Sequence, residues 1–231
     1  MSTNRDLLDR LRGGLIVSVQ ARAGSALDDP VVLAAMAGAA KAGGAVALRI
    51  AGEKNIQEIR TRVDLPVIGI VKREYPGYEP YITPTLREVQ EILKCGAQIV
   101  AFDATARPRP GGLGIAEIVG AVQQAGALAM ADCAQPADGV AAQAAGADII
   151  ATTLCGYTKE TAGCALPALE LVRQFRELDA FVICEGGIHS PAQGAAALDA
   201  GAGAVVVGTA ITNVEWLTGE YALALQRSSR A

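Results

Sequence analysis

Lys72 and Glu185 stand where charged residues are least expected, at the ends of the apolar runs VIGIVK (67–72) and FVICEG (181–186). An unpaired ion is costly inside a strand, so an amine and a carboxyl group at such ends point to chemistry at an opening. The chemistry available to them is proton transfer. A lysine whose pKa is lowered by burial or a neighbouring cation can act as a base, and a carboxyl group can pass protons on. Other runs end in the same manner. In order, the ends are Gln20, Arg49, Lys72, Asp103, Asp132, Thr153, Glu185 and Gly208-Thr209. Each has a plainer reading beside it. Arg49 or Asp132 can serve only in an ion pair, Lys72 can reach water along its flexible stem, and Asp103 can cap its own loop near Thr105. His189, the single histidine, reads as a residue leading into the next helix rather than a catalyst. One histidine also counts against a His-rich metal site. Asp and Glu side chains can hold Mg²⁺, but nothing in the pattern requires a metal.

The elements that must position these ends repeat one theme. Eight short runs, at 14–20, 45–50, 67–72, 99–104, 127–132, 149–154, 181–186 and 204–209, are almost continuously apolar and rich in Val and Ile. That pattern fits strands buried on both faces of a parallel sheet. Helical patterns fall between them at 31–42, 54–63, 84–95, 114–125, 136–145, 165–178 and 191–200, with 214–227 closing the chain and a short helix expected at 4–12. Asp29-Pro30, Thr83-Pro84 and Ser190-Pro191 read as helix starts, a capping side chain before a proline in the first turn. Gly-Ala precedes five strands, at Gly44, Gly96, Gly126, Gly146 and Gly203, where each glycine is expected to give the preceding helix a left-handed stop. Eight such units in 231 residues predict an α/β protein, a (β/α)8 TIM barrel with a short N-terminal helix, as one domain over residues 1–231. An open doubly wound sheet would more often show GxGxxG after its first strand, and none follows Gln20. A barrel gathers its functional side chains at the C-terminal strand ends, so Lys72, Asp132 and Glu185 are expected at one mouth. The loops after strands seven and eight carry Gly186-Gly187 and Gly208-Thr209, the place where such barrels hold phosphate on backbone N–H groups.

Composition excludes several classes. The formal charge is −4, and no Lys/Arg cluster offers the basic stripe of a nucleic-acid binder. The five cysteines form no CxxC and read as buried, reduced thiols, which places the protein in the cytoplasm. The N-terminal MSTNRDLLDRLRGG has no apolar core of a secretory leader, and no apolar run reaches the roughly 18 residues of a membrane span.

The segments GGLIVSVQA, LRI, LPVIGIVKREYPGYEPYITPT, AFDATARPRP, ADC, DIIATTLCGYT, CEGGIHSP and VVVGTAIT together resemble the N-acetylmannosamine-6-phosphate 2-epimerases (N-acylglucosamine-6-phosphate 2-epimerases), from about Arg12 to Leu223. The lysine, DATxRxRP and TTLxGYT segments are each fairly specific, and their joint order is highly specific. The resemblance implies a barrel isomerase of sialic-acid catabolism that interconverts N-acetylmannosamine 6-phosphate and N-acetylglucosamine 6-phosphate. It implies no metal or dissociable redox cofactor and a homodimer. It makes Lys72 the acid/base lysine and Glu185 its carboxylate partner. Gln20, Arg49 and Asp132 become sugar contacts, joined by Thr153 at the end of strand six. Gly186, Gly187, Gly208 and Thr209 become the phosphate site. The chain departs from the family at Ile211-Thr212-Asn213-Val214, where Arg-Pro often follows Ile-Thr; Arg22 or Lys159 is then the candidate substitute cation. Gly187 often has a larger counterpart, and Cys155 replaces a common Ser.

Inverting C2 of a 2-acylamino sugar requires removal of a proton α to a carbonyl, which becomes acidic once the ring opens to the C1 aldehyde. A neutral lysine can take it if burial and Arg49 lower its pKa. Glu185 can shuttle protons at O1 or O5, or orient the ammonium, while Arg49 and Asp132 orient the sugar. Two other readings stay open from the residues. One is a phosphosugar lyase or aldolase using Lys72 as a Schiff base. The other is a non-catalytic sugar-phosphate-binding barrel.

Overall fold

Alternation along each strand decides which side chains meet in the middle. In the computed structural model, which describes residues 4–228, the order is α1 (Asn4–Leu11), β1 (Leu15–Val19), α2 (Pro30–Ala42), β2 (Ala47–Ala51), α3 (Glu53–Arg60), β3 (Val67–Ile70), α4 (Leu86–Lys94) and β4 (Ile99–Asp103). It continues with α5 (Ile115–Gln124), β5 (Leu128–Asp132), α6 (Pro136–Ala144), β6 (Ile149–Ala151), α7 (Leu169–Phe175), β7 (Phe181–Glu185), α8 (Pro191–Asp199), β8 (Ala204–Val207), α9 (Thr209–Thr212) and α10 (Val214–Ser228). The eight strands are parallel and close into a barrel in sequence order, β8 pairing with β1. This is the (β/α)8 barrel expected from the sequence.

Two apolar layers follow from the period of two. Ile16, Ala47, Ile68, Ile70, Ile99, Ala101, Leu128, Met130, Ile149, Ala151, Phe181, Ile183, Ala204 and Val206 pack together inside the barrel. Their neighbours along the strands, such as Val17, Leu48, Val100 and Ile150, pack outward against the helices. Continuing the inward phase past the last apolar residue of each strand reaches Ser18, Arg49, Lys72, Asp103, Asp132, Thr153, Glu185 and Gly208. The polar ends therefore project into the mouth because they keep step with the core beneath them. At the opposite end Leu7 and Leu11 of α1 join the interior cluster and close the barrel floor.

Local signals hold with three corrections. Asp29 and Ser190 cap α2 and α8 as expected. The cap of α4 is Thr85, two residues after the expected Thr83, in a capping box with Glu88 (Thr85 N to Oε2, 2.9 Å). Thr83 instead adopts φ 45° and donates its amide to the Val71 carbonyl at 2.8 Å, folding the loop back beside β3. Gly44, Gly96, Gly126 and Gly146 have the expected positive φ, but Gly203 does not; Gly201 (φ 110°) ends α8. Gly203 is needed for space, because a Cβ there would lie 2.7 Å from the Phe181 ring. The third correction concerns the closing helix, whose residues Trp216, Leu217, Tyr221 and Leu225 read in sequence as an apolar stripe that packs on the barrel rather than forming a dimer surface. Only Trp216 is half-buried, against His189 (ring centroids 4.9 Å apart), while Tyr221 and Leu225 are 68% and 70% exposed.

All five cysteines are free; four are buried and Cys164 half-buried, with Cys155 Sγ and Cys164 Sγ 3.0 Å apart. Among the described residues no helix is long and apolar enough to cross a membrane.

Candidate active site

Arg49 is the centre of the mouth. It is 1% exposed and carries two carboxylates. Its NH1 and NH2 donate to Asp132 Oδ1 (3.0 Å) and Oδ2 (2.5 Å), and NH1 also donates to Glu185 Oε2 at 2.9 Å. Thr153 Oγ1 adds a bond to Asp132 Oδ1 (2.6 Å) and a longer one to Glu185 Oε2 (3.3 Å). A guanidinium's flat fork suits a bidentate carboxylate, and buried ions require such partners. Burial works against the Arg49 charge, but Asp132 and Glu185 outweigh it and raise its pKa. Glu185 is driven the other way. Burial of its side chain, 14% exposed, outweighs Arg49, and with repulsion from Asp132 its pKa is pushed up to about 7.

Lys72 meets solvent in the open mouth, yet the surrounding walls desolvate its ammonium. That desolvation, followed by the nearby Arg49 charge, lowers its pKa; Glu185 and Asp132 act in opposition. Among the described residues no ion pair joins Lys72 to Glu185. Glu185 is tied to Arg49 instead, and its charge acts on the ammonium of Lys72 without a direct ion pair. The backbone of Lys72 is fixed by a bridge to Ile82.

The cavity above these groups has a volume of about 440 Å³ and is lined by Gln20, Arg49, Lys72, Thr153, Glu185, Gly186, Gly187, Gly208 and Thr209 among others. Nine of the ten residues expected at the site therefore lie on one wall system. Asp132 is the tenth. It is fully buried behind Arg49 and does not line the cavity, so its reach to any ligand runs through the arginine. Gln20 donates its amide nitrogen to Ser18 Oγ (2.8 Å), leaving its buried Oε1 without a partner, an acceptor ready for a ligand hydroxyl or amide.

On the β7–β8 side, Gly186 (φ 105°) and Gly187 (φ 69°) occupy left-handed backbone that other residues avoid. A Cβ on Gly187 would lie 2.3 Å from Leu166, and one on Gly208 3.1 Å from Ser18. These glycines are required by the protein's own packing as well as by any approach to a ligand. Arg22 lines this cavity. Lys159 does not; it donates to Glu79 Oε1 at 2.5 Å in a neighbouring pocket that also contains Arg107. Asn213, at the position of the missing arginine, accepts from Trp216 N at 2.9 Å and so holds the start of α10.

The DATARPRP segment is a loop clasp. Asp103 Oδ1 accepts from Thr105 N (3.0 Å) and Oγ1 (2.6 Å), Oδ2 accepts from Arg107 NH2 (2.6 Å), and Arg109 NH2 donates to the carbonyls of Thr105 (2.8 Å) and Asp103. Asp103 thus fulfils its plainer reading. Sequence reasoning missed Ser18 and Tyr81 on the cavity wall. Ser18 was legible as the inward position before Gln20. Tyr81 was not, because only the return of the loop brings it back. Among the described residues no group of His, Cys, Asp and Glu is placed to hold a metal ion.

Comparison with known proteins agrees with this geometry. Residues 33–227 match a family described as "Putative N-acetylmannosamine-6-phosphate epimerase". A Yersinia pestis (strain Pestoides F) protein named "Putative N-acetylmannosamine-6-phosphate 2-epimerase" is 46% identical over 227 residues, covering 98% of this chain and 96% of that one. The solved N-acetylmannosamine-6-phosphate 2-epimerase from Clostridium perfringens superposes with a TM-score of 0.91 at 41% identity, over 94% of this chain and 95% of the other. A more distant barrel, FabK from Thermotoga maritima, shares the fold alone (TM-score 0.64, 21% identity, 89% of this chain and 64% of that one). With a barrel mouth that joins an amine to an arginine-held pair of carboxylates, and with these likenesses along nearly its whole length, the chain belongs to the N-acetylmannosamine-6-phosphate epimerase family.

Proposed function

We propose that the protein inverts C2 of N-acetylmannosamine 6-phosphate to give N-acetylglucosamine 6-phosphate, removing and returning a proton on the ring-opened sugar. The observation that carries this reading is the placement of Lys72 and Glu185 on one cavity, where burial lowers the lysine pKa, with help from Arg49, and raises that of the glutamate against it. Ring opening exposes the C1 aldehyde and acidifies the C2–H. The free amine of Lys72 takes that proton, the C–H electron pair moves into C1–C2, and negative charge collects on O1. Return of a proton to the opposite face completes the inversion. A lowered lysine pKa favours the free amine near neutral pH, where an acid/base catalyst works best.

Glu185, with a pKa of about 7, exists in both protonation states there and suits proton passage at O1 or O5 during ring opening. Arg49 holds its carboxylate still, and Asp132 holds Arg49. Gln20 and Thr153 face the sugar. Backbone at Gly186, Gly187, Gly208 and Thr209 receives the phosphate, with Arg22 as the counter-charge. In this reading the protein works in the cytoplasm on amino sugars released from sialic acid, as a homodimer that covers the exposed apolar residues of α10.

Incubation with N-acetylmannosamine 6-phosphate in D₂O, followed by NMR, tests the reading. The glucosamine epimer is expected, with deuterium at C2, and Lys72→Ala is expected to abolish both while keeping the wild-type circular dichroism. Normal C2 exchange in that variant overturns the lysine assignment.

A further inference from the structure

Charge that collects on O1 needs a hydrogen-bond donor already in place, and several of the donors closest to the Arg49 cluster are committed elsewhere. Both terminal nitrogens of Arg49 are bound to Asp132 and Glu185, and its Nε is buried. The Gln20 amide nitrogen is given to Ser18, and the Thr153 hydroxyl to Asp132. Ser18 lies on β1, two strands from Lys72 and packed against Gly208.

Tyr81 is different. Its carbonyl accepts from Arg73 N at 2.9 Å, and the next residue, Ile82, bridges to Lys72. The phenol is therefore returned to the cavity wall, within reach of the charges of Arg49 and Asp132. It lines the cavity with Lys72, Arg49 and Glu185, and it is 36% exposed. Tyr75 gives its hydroxyl to Glu88 (3.0 Å), whereas the Tyr81 hydroxyl has no hydrogen-bond partner among the described residues.

We infer that Tyr81 is a catalytic hydrogen-bond donor, its hydroxyl directed at O1 of the open-chain sugar while Lys72 holds the C2 proton. The inference rests on the epimerase reading above. The phenol keeps its proton throughout: the O1 charge grows against the O–H as the C2–H bond breaks and disappears when C2 is reprotonated. Burial, then repulsion from Asp132 and Asp103, raises the phenol's pKa, so it stays a donor across the working range. Arg49 opposes that rise.

The test is Tyr81→Phe, which keeps the ring and removes only the hydroxyl, read by C2 deuterium incorporation into N-acetylmannosamine 6-phosphate over a range of concentrations. Tyr78→Phe, in the neighbouring pocket, is the control. Loss of one such donor lowers kcat by about 10²-fold, with KM little changed, and that is expected for Tyr81→Phe alone. A Tyr81→Phe kcat within twofold of wild type, an effect confined to KM, or an equal loss in Tyr78→Phe overturns the inference. If the wild-type protein exchanges no deuterium, the epimerase reading fails first and the inference falls with it.

Discussion

Replacing Arg49 by Met tests the electrostatic core of the site. Met has a similar reach and no charge, so the change leaves Asp132 buried with only Thr153 as a hydrogen-bond partner and Glu185 without its guanidinium. Removing one member of a buried ion pair costs about 3–5 kcal/mol, because the remaining charge stays desolvated. Glu185 can escape part of this by protonating, since its pKa already stands near 7. For a chain of this size each kcal/mol moves Tm by about 2–4 °C. The expected fall is therefore about 6–20 °C, measured by thermal melts at pH 8. Two further measurements separate this account from simple loss of packing. At pH 5 the deficit should shrink, because the stranded Glu185 takes up a proton and loses its charge. Adding Asp132→Leu should return more than half of the lost stability, because an apolar pair replaces an ionic one. An Arg49→Met protein that melts within about 2 °C of wild type, or a deficit that is the same at both pH values, would refute the reasoning.

Glu185 binds its proton more tightly folded than unfolded, with a pKa about 7 against an ordinary 4.5. In that window the native state holds more protons, so stability falls as pH rises from about 4.5 through 7. Glu185→Gln should therefore gain stability relative to wild type between pH 5 and pH 8 in paired melts, and a gap that is constant or closes contradicts the assignment. Arg22→Ala should raise KM for the phosphosugar by about tenfold, the value of one charged hydrogen bond, whereas Lys159→Ala, its cation tied to Glu79, should leave KM unchanged. The reverse pattern would move the phosphate counter-charge to Lys159.

The strand ends were legible because a barrel strand obeys one rule of alternation. Once Ile68 and Ile70 face inward, Lys72 must follow, and the same step places Glu185 after Ile183. Partnerships were less legible. Lys72 and Glu185 look like a pair in sequence, but Arg49 reaches Glu185 across the barrel, a choice made by side-chain length and the position of Asp132. Loop returns left still weaker traces. Nothing in YEPYITPT announces that Thr83 takes left-handed backbone or that Tyr81 lands on the wall of the cavity. The α10 stripe misled because apolar spacing marks a face that seeks cover without naming what covers it.

The plug of Leu7 and Leu11 under the barrel leaves the reaction chamber a cul-de-sac. A substrate that differs from its product only in the hand of one carbon must come and go by the same doorway. Neither epimer can be pushed out through the far side by the arrival of the other. The direction of net conversion is then left to the relative amounts of the two sugars outside, and a build-up of product should slow the protein by occupying its one entrance.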